Sequence, residues 1–74
     1  MSNLEIIRKY VHSNISRDLD DDGAITIYAD SLTLLRLASF VEQEFGLYFE
    51  PDDVDIVNFS SISAVDRFVK SKQG

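Results

Sequence analysis

The stretch DSLTLLRLASFVEQEFG, residues 30–46, decides the fold of this chain. Asp30 is well suited to cap the start of a helix, and Gly46 is well suited to end one. Between them, apolar residues recur at the i, i+3, i+4, i+7 and i+11 spacing of one buried helix face, at Leu34, Leu37, Ala38, Val41 and Phe45. The stretch therefore predicts an amphipathic helix from about Ser31 to Phe45.

A second strip of the same helix runs beside this buried face and consists of Leu32, Leu35, Arg36 and Ser39. Two leucines beside one charge are typical of a surface that is partly exposed. The strip is either a docking surface for another protein or the flank of a wide core stripe. The residues alone leave both interpretations open.

A helix is predicted on either side of this central one. Ser2 and Glu5 have the spacing of a capping box, and an apolar stripe of Leu4, Ile7 and Val11 follows. At the other end of the chain, Ser60 and Ser61 offer caps for a last helix. The apolar face of that helix is formed by Ile62, Val65, Phe68 and Val69.

The remaining segments predict one short helix and one long loop. Pro51 suits the first position of a short helical turn, with acids following it. Residues 16–30 form a long, mostly irregular connection, in which Ile27, with Leu19 and Ile25, is expected to pack onto the helices. The expected fold is one all-α domain over residues 1–74, a four-helix bundle of three main helices and one short helix.

Composition and charge limit the classes of function. The chain has 74 residues, no cysteine and a net charge of −6, so one small domain without disulfides is expected. Between Asp18 and Asp66 there are twelve acidic residues and a single basic one, Arg36. Such a field disfavours nucleic acid and attracts partners with basic patches.

The termini and the apolar runs predict a cytosolic protein. No apolar run is long enough to cross a bilayer, and the N-terminus lacks the apolar segment of a secretory signal.

Catalysis by the chain itself is not expected. There is no cysteine, and His12, the only histidine, lies on the flank of an apolar stripe with nothing to suggest that it reaches a nucleophile. A small helical bundle also leaves little room for a substrate pocket. No catalytic residue and no metal ligand are therefore assigned.

An acidic run in the long connection has the spacing of a calcium loop at its start. Asp18, Asp20 and Asp22 stand at positions one, three and five, and Gly23 stands at position six. Position twelve, however, is Ala29, where a bidentate glutamate is needed. A solvated acidic loop is the expectation, and a calcium-responsive domain is kept as an alternative.

Ser31 is the candidate site with the clearest physical basis. A serine at the start of a helix exposes its hydroxyl next to free backbone N–H groups and the positive end of the helix dipole, which together favour an attached phosphate. By its local pattern alone, however, Asp30-Ser31-Leu32 is a common tripeptide that also serves as a plain helix start.

Several segments together resemble the acyl carrier proteins, over essentially the whole domain. They are Ile27-Tyr28-Ala29-Asp30-Ser31-Leu32, Val41-Glu42-Gln43-Glu44-Phe45-Gly46, Pro51-Asp52-Asp53 and Asn58-Phe59-Ser60-Ser61-Ile62. The chain length, the acidity and the lack of cysteine also fit this family. The Asp-Ser-Leu helix start with a downstream Glu-x-Glu-Phe is fairly specific in combination, although each piece alone is weak.

The resemblance implies that Ser31 carries 4′-phosphopantetheine, donated by coenzyme A through a magnesium-dependent phosphopantetheinyl transferase. Acyl groups would be carried as thioesters on that arm and presented to acyl-loading and acyl-processing enzymes. The resemblance gives Asp30 a role in recognition or activation of the serine, and Leu32 is expected to anchor the turn against apolar neighbours. The implied docking surface is formed by Leu35, Arg36, Ser39, Glu42, Asp52, Asp53 and Asp55.

Three departures from the family pattern point to a dedicated carrier in a specialised fatty-acid, polyketide or related pathway. Tyr28 stands where glycine is usual, and Arg36 stands where fatty-acid carriers present an acid, which is a device for partner specificity. Asp66 replaces an apolar residue of the last helix. A freestanding monomer is expected. The alternatives are a peptidyl carrier, which usually has histidine before the serine, and an unmodified helical interaction module.

Overall fold

The fold was obtained as a computed structural model that describes residues 1–74. It contains three α-helices and no β-strand: α1 (Asn3–Asn14), α2 (Ser31–Phe45) and α3 (Ile62–Gln73). Two single 3₁₀ turns, Ile25–Ile27 and Pro51–Asp53, interrupt the connections between them. The prediction of an all-α fold is confirmed.

The predicted fourth helix is a 3₁₀ turn, so the expectation of four helices is not confirmed. The turn has i→i+3 hydrogen bonds from the N–H of Asp53 to the carbonyl of Glu50 and from Val54 to Pro51. In a continuing α-helix the carbonyl of Asp53 would accept from the backbone N–H of Val57. Here that carbonyl accepts instead from the side-chain amide of Asn58 at 2.9 Å, and the turn ends.

The helix boundaries follow from caps that the sequence predicts. Ser2 and Glu5 form both bonds of the capping box at α1, and Asp30 accepts from the N–H of Thr33 at α2. Ser61 accepts from the N–H of Ala64 at α3. Each bond satisfies an N–H group that the first helical turn leaves without a backbone partner.

The core lies where α1 packs along α3 and, over a smaller area, against α2. The predicted apolar stripes supply most of it, and the connections add four further buried side chains, Leu19, Ile25, Phe49 and Phe59. Three phenylalanines, Phe49, Phe59 and Phe68, form an aromatic cluster at ring-centroid distances of 5.1 to 6.0 Å. This cluster fixes the second connection onto α3.

The prediction that Ile27 packs onto the helices is wrong, since its side chain is 76% exposed. Leu19 and Ile25 are buried as expected. A 3₁₀ turn advances by about 120° per residue, so Ile25 and Ile27 point to different sides of the turn. The N–H of Ile25 donates to the carbonyl of Ser60 at 2.9 Å, which fixes Ile25 as the buried one.

None of the three helices has the length and apolarity that crossing a membrane requires.

Candidate functional site

Ser31 is the first residue of α2, and its side chain is exposed. The hydroxyl has no hydrogen bond within the chain, and neither do the N–H groups of Ser31 and Leu32. The helix dipole places partial positive charge at the same end. The position therefore combines an accessible nucleophile with unused donors for an anion.

Asp30 fixes the start of α2. Its Oδ1 accepts from the backbone N–H and from the hydroxyl of Thr33, both at 2.9 Å. These bonds lower the pKa of Asp30, the backbone bond most strongly. The carboxylate therefore holds the helix start as an anion, which keeps the direction of Ser31 constant.

Tyr28 stands where the acyl carrier proteins usually have glycine, and it adopts a backbone conformation that any residue can take. Its φ is −110° and its ψ is −7°, whereas the only residue with positive φ is Gly46. The turn before Ser31 thus has no need of glycine. The Tyr28 side chain is half-exposed on the surface of this turn.

An open cleft of about 320 Å³ lies beside Ser31, between α2 and the segment that follows the second 3₁₀ turn. Its lining is apolar apart from Ser31 and Asp55, and consists of Ser31, Leu34, Leu35, Val54, Asp55 and Ile56. The carboxylate of Asp55 accepts from the N–H of Asn58 at 2.7 Å. The cleft offers an apolar chain a place next to the serine.

The expectation that Leu32 anchors its turn against apolar neighbours is wrong. The side chain is 57% exposed. Residues two apart on an α-helix differ by about 200°, so Leu32 points away from the core that Leu34 contacts. Leu32 is therefore available to a ligand or a partner, as are the exposed Ile56 and Val57 of the second connection.

The implied docking residues divide into two groups. Leu35, Arg36 and Ser39 are exposed and line one groove together with Leu32, Tyr10, Phe40 and Gln43. The partly exposed strip that the sequence predicts is therefore present, and it is not part of the buried core.

The acids of the docking set are mostly held by the chain itself. Glu42 accepts from the N–H of Phe49 at 2.7 Å, and Asp53 pairs with Lys72 at 3.0 Å. The pKa of Asp53 is lowered, first by Lys72 and then by the N–H of Glu50. Together with Asp55, described above, these acids stabilise the second connection, while Asp52 is exposed.

Two contacts that the sequence analysis missed hold the connection that leads to Ser31. Arg8 donates to both carboxylate oxygens of Asp21, at 2.8 and 2.7 Å, which raises the pKa of Arg8 and lowers that of Asp21. The Nε2 atom of His12 lies 2.7 Å from the carbonyl oxygen of Leu19. Opposite charges thirteen residues apart give no local signal of such a contact.

The side chains of the acidic run, residues 18–22, make separate contacts. Asp21 points to Arg8, and Asp20 accepts from the N–H of Asp22 at 3.2 Å. No group of three or more His, Cys, Asp or Glu side chains converges anywhere in the chain. The structure thus contains no assembled set of ligands for the calcium-responsive alternative.

Asp66 lies within α3 rather than at the cleft beside Ser31. It is 7% exposed and pairs with Lys70 at 2.9 Å. Its Oδ1 atom is buried without a hydrogen-bond partner. It is not among the residues that line the cleft.

Comparison with protein-family models, curated proteins and solved structures finds no match to this chain.

Proposed function

We propose that this chain is a carrier protein of the acyl carrier type, with 4′-phosphopantetheine attached to Ser31. The observation that carries the proposal is the exposed hydroxyl of Ser31 at the first position of α2, without an internal hydrogen bond and at the mouth of an apolar cleft. The helix start itself is held by Asp30 and not by Ser31. Ser31 is therefore free for modification without loss of the cap.

The residues around Ser31 fit such a group. The free N–H groups of Ser31 and Leu32 and the positive helix end suit the phosphodiester. Leu34, Val54 and Ile56 line the cleft where an apolar part of the arm or its cargo would lie. When bound, the group supplies the thiol on which acyl chains are held as thioesters.

The type of bundle, the modifying enzyme and the docking partners belong to the same proposal. The fold would be an acyl-carrier bundle in which the 3₁₀ turn Pro51–Asp53 takes the place of the short helix. A phosphopantetheinyl transferase would modify Ser31, and acyl-loading and acyl-processing enzymes would dock on Leu35, Arg36 and Ser39. The exposed Arg36 favours partners of a specialised pathway over those of ordinary fatty-acid synthesis.

Intact-mass spectrometry after incubation with coenzyme A and a broad-specificity transferase tests the proposal. The expected result is one addition with the mass of the phosphopantetheine arm, which Ser31→Ala abolishes and Ser13→Ala retains. Ser13 is exposed on α1 and makes no hydrogen bond through its side chain. No addition to the wild type, while a known carrier is modified in parallel, overturns the proposal.

A second candidate is an unmodified interaction module. The exposed Leu32 and Leu35 beside an aromatic groove favour it, because an apolar surface of this kind is typical of a protein-binding site. In that case Ser31→Ala has no effect on partner binding, whereas R36E abolishes it.

A further inference from the structure

A second apolar surface joins α1 and α2 and shares only Leu35 with the cleft beside Ser31. At its centre Tyr10 and Phe40 stack with ring centroids 4.2 Å apart and an interplanar angle of 18°. A cleft opens on either side of this aromatic pair. We call the surface the aromatic face; it comprises Met1, Ile6, Lys9, Tyr10, Leu32, Leu35, Arg36, Ser39, Phe40 and Glu44.

The two clefts overlap along α2, since the first is bordered by Phe40 and Glu44 and the second extends from Leu32 to Gln43. The first cleft, of about 380 Å³, is bordered by Met1, Ile6 and Glu44. The second cleft, of about 470 Å³, is bordered by Leu35, Arg36 and Gln43. Only the stacked pair lines both clefts. The exposed Leu32 and Leu35 lie on the half of α2 before Phe40, and the first cleft borders the half after it.

The charges on this face are also arranged about Phe40. Arg36 lies four residues before it and Glu44 four residues after it, a separation of about 6 Å along the axis in each direction. Both residues are exposed, and neither forms an ion pair within the chain. Arg36 is also the only basic residue between Asp18 and Asp66.

We infer that the aromatic face binds a second copy of this chain, with the two α2 helices antiparallel about a two-fold axis near Phe40. In that arrangement Arg36 of each copy meets Glu44 of the other, since a two-fold axis exchanges positions equally distant from it. A parallel arrangement would instead oppose Arg36 to Arg36. The charge pattern is therefore self-complementary in the antiparallel orientation.

The shape of the face agrees with this orientation. The same two-fold axis brings Leu32 and Leu35 of one copy to the first cleft of the other, where Met1 and Ile6 are available. Ser39, small and exposed, allows the two helices to approach closely. Lys9 borders the same cleft, and its long flexible stem lets the ammonium group turn to solvent.

A second copy fits this face although the chains repel each other elsewhere. Each chain has a net charge of −6, which opposes contact through most of the surface. The aromatic face is the exception, because its charged residues are two cations and one acid. The association is weak and reversible, so the monomer that the sequence predicts is the form of the dilute protein.

Self-association covers Leu35, Arg36 and Ser39, the residues that the proposed function assigns to enzyme docking. The dimer and the enzyme-bound form are then mutually exclusive. Ser31 is not among the residues of the aromatic face, so the dimer does not depend on its modification.

Sedimentation equilibrium of the full chain at increasing concentration tests the inference. The expected result for the wild type is an apparent mass that rises towards that of a dimer. R36E and E44R each place like charges opposite one another at two symmetric sites, and each is expected to raise the dissociation constant by at least about tenfold. The double variant R36E/E44R restores the opposite charges and is expected to restore the dimer.

R67E is the matched control, because Arg67 is exposed on α3, outside the aromatic face, and the change in net charge equals that of R36E. Circular dichroism establishes that each variant is folded. A wild type that stays monomeric at millimolar concentration overturns the inference. Three other results also overturn the inference. They are an equal loss of dimer in R67E, a dimer that persists in both single variants, and a double variant that does not regain the dimer. Ser31→Ala leaves the dimer unchanged, which separates this result from the outcome of the mass experiment.

Discussion

Asp66 illustrates a cost that a single side chain imposes on this core. Its carboxylate is almost fully buried on α3, and Oδ1 has no hydrogen-bond partner. Removing a carboxylate from water without satisfying all its acceptors is unfavourable. The pair with Lys70, whose side chain is 65% exposed, offsets only a small part of that cost.

We therefore expect Asp66→Ala to raise the free energy of unfolding by about 1 kcal/mol, because it removes the buried charge and improves helix propensity. Lys70→Ala is expected to lower it, because the carboxylate then loses its only charged partner. Urea denaturation of both variants measures the two changes. A loss of stability in Asp66→Ala would mean that the carboxylate has an essential partner.

Gly46 is the residue whose backbone conformation is most restrictive. Its φ of 64° lies in the left-handed region, and a Cβ atom there would meet nothing within 4 Å. The cost of a side chain is therefore conformational and not steric contact with the rest of the chain. Gly46→Ala is expected to lower the free energy of unfolding by about 1 kcal/mol, and Gly46→Asn by less. Equal stability of all three proteins in chemical denaturation would contradict this.

At the scale of the elements, the helices were predictable because their signals are local. The Ser2 capping box, the Asp30 cap and the Gly46 end all involve residues within five positions of one another. The buried stripes follow from helical spacing in the same way. Local signals of this kind determine where α1, α2 and α3 begin and end.

The connections were less predictable because contacts without a helical or capping spacing determine them. The outward direction of Ile27 follows from the bond between Ile25 and Ser60, thirty-five residues apart. The helical turn after Pro51 stops because Asn58 takes a carbonyl. The candidate site shows the same difference. Ser31 was predicted from its helix start, whereas the bond from the N–H of Phe49 to Glu42 depends on how the second connection folds back.

The ion pair between Arg8 and Asp21 joins α1 to the first connection, and the carbonyl of Asp21 also accepts from Ser63 at the start of α3. Since Arg8 lowers the pKa of Asp21 in the folded protein, this pair contributes stability above the unfolded pKa of about 3.9. The contribution is lost as the pH falls through the lower folded pKa.

Asp21→Asn is therefore expected to lower the midpoint of thermal unfolding at pH 7, and the difference from the wild type is expected to vanish in strong acid. Asp18→Asn is the control, because Asp18 is exposed and forms no ion pair, and its effect should be small at both pH values. A difference between Asp21→Asn and the wild type that persists in strong acid would show that the amide disturbs the fold for another reason.

For the whole molecule, charge is the dominant long-range term. The chain has thirteen acidic and seven basic residues, and only three acids form ion pairs. Glu50, Asp52, Asp53 and Asp55 are crowded into one short segment. Their mutual repulsion opposes the compact state, and salt screens it over a Debye length of about 10 Å at 0.1 M.

Added sodium chloride is therefore expected to raise the midpoint of thermal unfolding. At low salt, Asp52→Asn is expected to raise the midpoint as well, because Asp52 is exposed and has no partner that the change would leave unpaired. Arg67→Gln, which removes an exposed cation, should shift it in the opposite direction. Salt should reduce both differences, since surface charges interact weakly once they are screened. A midpoint that falls steadily with salt would show instead that the three ion pairs outweigh the repulsion, and that the acidic surface does not destabilise the folded state.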